Sequence, residues 1–389
     1  MITVVGIGAD GWAGLGDAAR EAITAANTVI GSERQLALIP RAGDAKRAWP
    51  SPIDPLLDEL CNGWDGSVCV LASGDPMLHG IGATLARRLG PEHLAVHTHA
   101  SACALACARL GWPEADVELV SAVARPPEVV VPLLQPGRRI VAYADASQIA
   151  GVLCVRGFGP SRLVVLEQLG GPGERVTDVT ADTWHGRDVD PLHTVAIECR
   201  TSPDALVLSR HPGAPDAAYD SDGQLTKWPI RAVTLAALRP SPGERLWDVG
   251  AGSGSIGIEW LRAEPRAHAI AIERRQDRAE RIGANALRLG VPSLQVVRGA
   301  APAALVGLPR PDVVFVGGGL GEAGLLEACV ATGARVVANA VTLEGEQALY
   351  TARRAHGGTL LRLDYSHAEP LGSLEAWRPQ RTIVHWSSQ

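Results

Sequence analysis

The amino-acid sequence predicts an α/β protein built from two domains. Apolar, β-branched segments alternate with helical segments along almost the whole chain. One predicted strand in each half runs directly into a glycine-rich loop, and a proline- and aspartate-rich stretch interrupts the alternation between the halves. Alternation of this kind is typical of sheets with parallel strands that are covered by helices.

Composition limits the class of protein. The chain has 389 residues, of which 46% are hydrophobic and 20% charged, a balance typical of globular domains. The net charge of -6 disfavours nucleic-acid binding, because proteins that bind nucleic acid usually present a basic face. No apolar run approaches the roughly 18 residues of a membrane span, and the N-terminus lacks the pattern of a signal peptide. We therefore expect a cytoplasmic protein that binds neither membranes nor nucleic acid.

The seven cysteines are scattered and contain no Cys-x-x-Cys pair. This pattern predicts neither a disulfide framework nor a zinc site. Cys103 and Cys107 share one helix face with alanine and leucine, so we interpret them as core residues. We expect no metal site.

The predicted elements fall into two series. The first has strands at Met1–Ile7, Val68–Ala72, Arg139–Tyr143, Arg162–Glu167 and Thr194–Cys199, and helices at Asp17–Ala26, Gly80–Leu89 and Ala102–Leu110. The second has strands at Arg245–Val249, Ala267–Ile272, Leu294–Arg298, Asp312–Val316, Arg335–Ala338, Thr359–Leu363 and Thr382–Trp386, and helices at Ser255–Arg262, Arg275–Leu289 and Leu343–Ala355. We predict one domain over residues 1–202, a linker over 203–223 and a second domain over 224–389.

The segment LWDVGAGSGSIGIEW, Leu246–Trp260, carries the strongest functional signal. A buried strand ends at Asp248–Val249, three glycines follow at alternate positions, and a helix begins. Glycines permit a tight turn and close approach to a ligand, whose polar groups meet the helix N-terminus. An acidic residue that enters the loop would repel a pyrophosphate but not a sulfonium or an amino group.

The next two predicted strands extend this pattern. Glu273 ends the strand that follows, about 20 positions on, where a carboxylate can accept both hydroxyls of a ribose. The third strand ends at small residues around Gly299, which leave room for an adenine ring. The features together favour S-adenosylmethionine as the ligand. The alternative is a Rossmann unit for a nicotinamide cofactor.

The second half resembles a known family. DGQLTK, IRAVTLAAL, LWDVGAGSGSIGIEW, FVGGG and VANAVTLE resemble the C-terminal, decarboxylating domain of the precorrin-6Y C(5,15)-methyltransferase family, a Rossmann-like class I methyltransferase. The resemblance implies that S-adenosylmethionine is held by Thr226, Gly250, Ala251, Gly252, Ser253, Gly254, Glu273, Gly299, Ala300 and Ala301. Relatives often have an acidic residue where this chain has Ala300, so only a backbone contact to adenine carries over there.

The first half has two glycine-rich segments, VVGIGADG at Val4–Gly11 and ASGDPMLHGIG at Ala72–Gly82. Pro76 fixes its own φ and biases Asp75 towards an extended conformation, so this turn can present backbone groups to a ligand. The two segments, with ASACALACARLGW, resemble the tetrapyrrole methyltransferase fold, which has two α/β subdomains. The resemblance implies a second S-adenosylmethionine site with Gly8, Asp75, Met77, Gly80, Ile81, Ser101 and Ala102. Relatives carry a His-Gly-Arg element where this chain reads SAVAR at 121–125, so no role transfers to that segment.

The resemblance also implies a reaction and a substrate. Precorrin-6B would be methylated at carbons 5 and 15, and its ring C acetate would lose carbon dioxide, giving precorrin-8X in cobalamin synthesis. Lys227 and Arg231 bracket the first helix of the second domain, and we expect them either to bind substrate carboxylates or to be plain surface charge. We expect a homo-oligomer and no catalytic triad, and we assign no catalytic residue. The alternatives are an RNA or protein methyltransferase and a non-catalytic S-adenosylmethionine-binding module.

Overall fold

The computed structural model describes residues 1–40 and 45–388 of the chain. The chain divides into two compact units. The first comprises Met1–Pro127 and Pro136–Ala205, and the second comprises Glu128–Gln135 and Leu206–Gln389. No helix within the described residues is both long enough and apolar enough to cross a membrane.

The first unit begins with a five-stranded, fully parallel sheet. Its strands are β1 Ile2–Ile7, β2 Thr28–Gly31, β3 Ala45–Ala48, β4 Val68–Ser73 and β5 Leu94–His97, in the order β3-β2-β4-β1-β5. The helices of this region are α1 Asp17–Ala25, α2 Glu33–Ala37, α3 Asp54–Asn62 and α4 Ile81–Leu89. Since β1 lies between β4 and β5, the loops that follow these three strands emerge at one edge of the sheet.

The first unit contains a second sheet of five strands, in which only β6 and β7 are parallel. The strands are β6 Val117–Ser121, β7 Arg139–Tyr143, β8 Arg162–Glu167, β9 Arg175–Thr180 and β10 His193–Glu198, in the order β6-β7-β10-β8-β9. The helices are α5 Ala102–Leu110 and α6 Ala146–Val155. Cys103 and Cys107 of α5 are buried in a core with Val141 and Val164, as their interpretation as core residues requires.

The second unit is built on one seven-stranded sheet in the order β13-β12-β11-β14-β15-β19-β16. Its strands are β11 Arg245–Val249, β12 His268–Glu273, β13 Gln295–Arg298, β14 Val313–Val316, β15 Arg335–Ala340, β16 Thr359–Leu363 and β19 Ile383–Ser387. An exposed hairpin is formed by β17 Ser366–Leu371 and β18 Leu374–Pro379, and the helices are α7 Trp228–Leu238, α8 Ser255–Ala263, α9 Gln276–Arg288, α10 Leu325–Ala331 and α11 Leu343–His356. The strands from β13 to β15 are parallel, whereas β19 is antiparallel to both of its neighbours.

The predicted α/β class is confirmed, and the bounds of the long periodic elements agree with the sequence analysis to within one or two residues. The strand predicted at Arg245–Val249 has those bounds in the structure. The prediction missed short elements such as β3, whose residues are all exposed, and the β17–β18 hairpin. These segments lack the buried apolar positions on which a periodicity argument depends.

Most of the segment predicted as a linker groups with the second unit. Leu206 onwards groups with the second unit, and Ala214, Ala218 and Tyr219 are buried there. Its prolines and aspartates, with little periodicity, predicted an interdomain linker. A few apolar residues and backbone hydrogen bonds are enough to attach it to the domain that follows.

A buried ion pair makes this attachment. Arg231 of α7 is fully buried, and its Nε donates to Glu259 Oε1 of α8 at 2.7 Å. Glu259 also accepts hydrogen bonds from Gly213 N at 2.6 Å and from the Tyr219 hydroxyl at 2.9 Å. Burial beside Glu259 raises the pKa of Tyr219, so its hydroxyl remains a donor. The pair thus joins two helices to the segment around 213–219.

We predict that Arg231→Met destabilises the second unit by about 3–5 kcal/mol, because Glu259 would be left as an uncompensated buried charge. The measurement is the free energy of unfolding in urea. The control is Arg266→Met, which removes an exposed guanidinium that lies 3.5 Å from Glu264 and should change stability little. Equal, small effects of the two substitutions would contradict a structural role for the buried pair.

Candidate active sites

The second unit has a candidate site at the carboxyl edge of its parallel strands. The first strand of this unit, β11, lies between β12 on one side and β14 on the other. The chain therefore builds outward first to β12 and β13 and then, from β14 to β15, on the opposite side of β11. Open α/β sheets bind ligands at such a reversal of strand order, outside the carboxyl ends of the strands.

The loop after β11 requires its glycines. Gly250, Gly252 and Gly254 have φ values of 70°, 61° and 78°, a region that other residues rarely adopt. An added Cβ at Gly250 would lie 2.8 Å from Gly318 N, and one at Gly254 would lie 2.8 Å from Ile282 Cγ2. The backbone of β11 is thereby brought close to the loop after β14, with α8 starting immediately behind the turn.

Glu273, the last residue of β12, holds this loop. Its Oε2 accepts a hydrogen bond from Gly252 N at 3.0 Å and its Oε1 accepts one from Arg275 N at 3.0 Å. Each oxygen therefore uses one lone pair on the backbone and keeps a second. Glu273 also lines the cavity described below.

Asp248 lies under the glycine loop and not in the cavity lining. Its Oδ2 accepts from Gly257 N at 2.9 Å, in the first turn of α8, while its Oδ1 is buried and has no hydrogen-bond partner among the residues that the structure describes. Burial raises the pKa of Asp248 to about 7, with a further contribution from Glu273. The charge argument from the sequence placed this carboxylate facing the ligand. In the structure it supports the start of the helix.

A cavity of about 630 Å³ opens above these loops. It brings together predicted residues from four separate segments of the chain, namely Thr226, Lys227, Gly250, Ala251, Gly252, Ser253, Glu273, Gly299, Ala300 and Ala301. Gly254 shapes the turn without lining the cavity. The volume is in the range usual for pockets that hold small molecules.

The expectation that Arg231 binds substrate is corrected by its position. Its guanidinium is fully buried and bonds to Glu259 and Asp216, and also to the carbonyl oxygens of Thr226 and Ala214. A group with all its donors directed into the protein cannot reach a ligand. Lys227 does line the cavity, with its Nζ 3.5 Å from Asp216.

The sequence analysis missed the opposite side of this cavity. Residues from β15, from the segments that flank the hairpin and from β19 complete its wall: Asn339, Val341, Tyr365, Gln380, Arg381 and Ile383. Asn339 belongs to the VANAVTLE segment, which carried the resemblance but received no role. The other residues lie on or beside antiparallel strands, where no glycine pattern marks a ligand site.

The first unit has its own carboxyl edge, formed by β1, β4 and β5. Gly8 follows β1, Asp75 and Met77 follow β4, and Ser101 follows β5. Asp75 Oδ1 accepts from Met77 N at 2.7 Å, which fixes the turn, and Ser101 Oγ accepts from Ala104 N at 3.0 Å, which caps α5. The remaining predicted residues begin the two helices of this edge, Gly80 and Ile81 at α4 and Ala102 at α5. The structure therefore gathers all of these residues at one edge of one sheet.

A histidine–aspartate pair braces the loop after β1. His99 Nε2 lies 3.2 Å from Asp10 Oδ2, and His99 Nδ1 lies 3.1 Å from the carbonyl oxygen of Ala100. Asp10 precedes a short helical turn, but its side chain makes no cap bond and faces His99. A Cβ added at Gly8 would lie 2.7 Å from both Asp10 Oδ1 and His99 Cε1. A larger residue at this position would therefore have to displace the side chains of Asp10 and His99.

We predict that Asp248→Asn flattens the pH dependence of stability of the second unit. The folded state raises the pKa of Asp248 to about 7, so the unfolded chain releases this proton at lower pH than the folded chain does. The contribution of Asp248 to the free energy of unfolding is fully present below about pH 4 and is lost as the pH rises to about 7. Between about pH 5 and pH 8 that loss is about 2–3 kcal/mol. The check is urea unfolding at both pH values. An unchanged pH slope in the variant would contradict a protonated Asp248.

Two family models match the chain in sequence. Tetrapyrrole (Corrin/Porphyrin) Methylases matches residues 1–184, and Precorrin methyltransferase domain matches residues 217–389. The two matches fall on the segments in which the two carboxyl-edge sites lie.

Relatives match over the full length. The chain is 47% identical to the precorrin-6Y C(5,15)-methyltransferase [decarboxylating] of Mycobacterium tuberculosis, with 100% of this chain and 99% of that protein covered. It is 45% identical to the protein of the same name from a Sinorhizobium species, with 99% and 95% covered. Among solved structures, the C-terminal domain of precorrin-6Y C5,15-methyltransferase from Rhodobacter capsulatus is 48% identical, with 46% of this chain and 98% of that chain covered and a TM-score of 0.44.

The two family models match separate parts of the chain, and the relatives match both parts together over their full length. The chain therefore belongs to the decarboxylating precorrin-6Y C(5,15)-methyltransferase family.

Proposed function

We propose that the chain methylates precorrin-6B at carbons 5 and 15 and removes carbon dioxide from the ring C acetate, giving precorrin-8X for cobalamin (vitamin B12) biosynthesis. The chain is a methyltransferase, and S-adenosylmethionine is the methyl donor that its family implies. The observation that carries the proposal is that, in each unit, the predicted residues lie at the carboxyl edge of parallel strands, within a chain that matches its relatives from end to end.

The residues of the second unit fit this methyl donor. The glycine loop leaves a cradle that a Cβ would fill, and the second lone pairs of Glu273 can accept from the two ribose hydroxyls. Small residues at 299–301 leave space for adenine, and Thr226 lines the cavity beside the glycine loop. The absence of a side chain beyond Cβ at Ala300 leaves only backbone groups to contact the base there.

The first unit offers a second donor site of a different construction. Two helix N-termini, at Gly80–Ile81 and Ser101–Ala102, lie at the same sheet edge as Gly8 and Asp75. Met77 is 47% exposed at this edge, so it offers an accessible apolar surface to a ligand. We propose that this site serves methylation at carbon 5, and that the second unit serves decarboxylation and methylation at carbon 15.

The proposed reaction requires mainly that the protein hold its two reactants in the correct geometry. The reduced macrocycle is enamine-like, so its meso carbons are already nucleophilic, and S-adenosylmethionine supplies an electrophilic methyl group. Holding the two reactants in line contributes more than a strong base would. For decarboxylation, a site that excludes water from the acetate favours its loss, since the ring system accepts the electrons.

Several expectations from the sequence stay predictions. These are the cytoplasmic location, the homo-oligomer, the lack of nucleic-acid and membrane partners, and the division into domains at 1–202 and 224–389. Methylation of RNA or protein is a weaker proposal, because the net charge of -6 disfavours a nucleic-acid substrate. A non-catalytic binding module would not need two sites of this kind.

We predict that Glu273→Ala weakens S-adenosylmethionine binding in the second unit about ten- to a hundredfold, because charged hydrogen bonds of about 1.5–3 kcal/mol are lost. Glu273→Gln should cost less, since an amide oxygen still accepts. Titration calorimetry measures the affinity. Release of carbon dioxide should survive better than incorporation of methyl, because decarboxylation consumes no methyl donor.

The outcomes separate the possible roles of Glu273. Equal loss of both steps would mean that Glu273 touches the substrate or that the steps are coupled. No change in either would exclude this strand end from the cofactor site. The control is Glu322→Gln, which alters a cavity-lining carboxylate that lies 3.8 Å from Arg274 and follows β14, whereas Glu273 ends β12.

A further inference from the structure

The cavity of the second unit has two halves that come from different parts of the sheet. The glycine loop, Glu273 and the turn at 299–301 follow β11, β12 and β13. Asn339 lies on β15, Ile383 on β19, and Arg381 just before β19. In the sheet order, β14 separates the first group from the second. A methyl donor bound at the first group leaves the second half of the cavity for the other reactant.

Arg381 differs from the other cations that line this cavity. Lys227 lies 3.5 Å from Asp216, Arg274 3.8 Å from Glu322, and Arg278 2.8 Å from Asp222; the side chain of each has a carboxylate close by. Arg381 is exposed and has no carboxylate within 4.0 Å among the residues that the structure describes. Its positive charge is therefore available to a ligand.

Asn339 is a polar group held in one orientation. Its Oδ1 lies 2.8 Å from His385 Nδ1, and its Nδ2 donates to Thr234 Oγ1 at 2.8 Å. The Thr234 hydroxyl gives its own proton to the carbonyl oxygen of Ile230 at 2.7 Å, so it can only accept from Asn339.

The histidine completes this arrangement. His385 is buried, and burial lowers its pKa, so the ring is neutral near pH 7. Because Asn339 donates through Nδ2 to Thr234, its oxygen faces the ring, and we infer that the ring proton lies on Nδ1 and is donated to Asn339. The amide of Asn339 is thereby fixed with one Nδ2 proton not used by Thr234. Because Asn339 lines the cavity, that proton is a preorganised donor for a ligand.

We propose that Arg381 and Asn339 form a carboxylate subsite, which binds one peripheral acetate or propionate of the tetrapyrrole in the second unit. Arg381 provides the charge and two parallel donors, and Asn339, which lies opposite His385 in the sheet and lines the same cavity, provides a further donor. The inference rests on the proposed function, since it takes the tetrapyrrole as the ligand. S-adenosylmethionine also has a carboxylate, but its expected contacts lie on the other half of the cavity.

The test compares Arg381→Gln with Arg378→Gln in the full-length enzyme. Arg378 lies three positions earlier on β18, is exposed, pairs with Glu369 at 2.9 Å and does not line the cavity. We expect Arg381→Gln to raise the Kd for precorrin-6B and the KM for formation of the carbon-15 product about ten- to a hundredfold, with the Kd for S-adenosylmethionine unchanged. Arg378→Gln should leave all three unchanged.

Two further variants sharpen the result. Arg381→Lys should recover part of the affinity, since lysine keeps the charge but lacks the planar pair of donors. Asn339→Asp keeps the size of the side chain but replaces the donor by a carboxylate oxygen, so it should weaken precorrin binding and not that of the methyl donor. An unchanged Kd for precorrin-6B in Arg381→Gln would overturn the subsite.

Other outcomes separate the subsite from the proposed function. If Arg381→Gln weakens S-adenosylmethionine binding instead, the charge belongs to the cofactor and the subsite is overturned. If wild-type enzyme binds precorrin-6B without turning it over, the proposed function fails, yet the Kd comparison still decides the subsite. If wild-type enzyme does not bind precorrin-6B, both fail.

Discussion

The buried contact between Arg231 and Glu259 is the interaction on which the second site depends. Glu259 belongs to α8, which starts immediately after the glycine loop, and Arg231 belongs to α7, which starts immediately after Thr226 and Lys227. The guanidinium also bonds the carbonyl oxygen of Thr226. One ion pair therefore fixes both the helix behind the cofactor loop and the segment beside that loop that also lines the cavity. An isolated charge in this position would be costly, so each partner needs the other.

In both units, neighbouring groups limit the space for a side chain at the first residue after a parallel strand. At Gly8 and at Gly250, the first residue after a parallel strand, a Cβ would lie 2.7–2.8 Å from a neighbouring group. The neighbour is the Asp10–His99 pair in the first unit and the backbone of Gly318 in the second. Each loop thus lies close against a second loop of the same sheet edge. Two unrelated topologies reach a comparable ligand edge in this way, one in a fully parallel sheet and one in a sheet with antiparallel strands on one side.

Sequence reasoning predicted the parts of the sites that depend on local pattern. The glycine loop and Glu273 were predicted because strand, loop and helix follow one another along the chain, whereas Thr226 was implied only by the family resemblance. Arg231 was assigned wrongly because its burial depends on Glu259, 28 positions away, and on the packing of a segment that looked like a linker. Arg381 and Asn339 were missed because antiparallel strand order, which brings β19 beside β15, has no local signature. Short exposed strands were not predicted because they lack apolar periodicity.

The most direct test of the account is whether each unit carries its own methyl transfer. Gly8→Val and Gly250→Val each place a side chain where the structure has no room, and Gly16→Ala and Gly283→Ala are matched controls with nothing within 4 Å of the added Cβ. Mass spectrometry of precorrin-6B incubations should show two added methyl groups and one lost carbon dioxide for wild type and controls. Gly8→Val should add only the carbon-15 methyl and still release carbon dioxide, and Gly250→Val should lose the carbon-15 methyl. Loss of both methyl groups in a Gly8→Val protein that remains folded would contradict two independent sites on one chain.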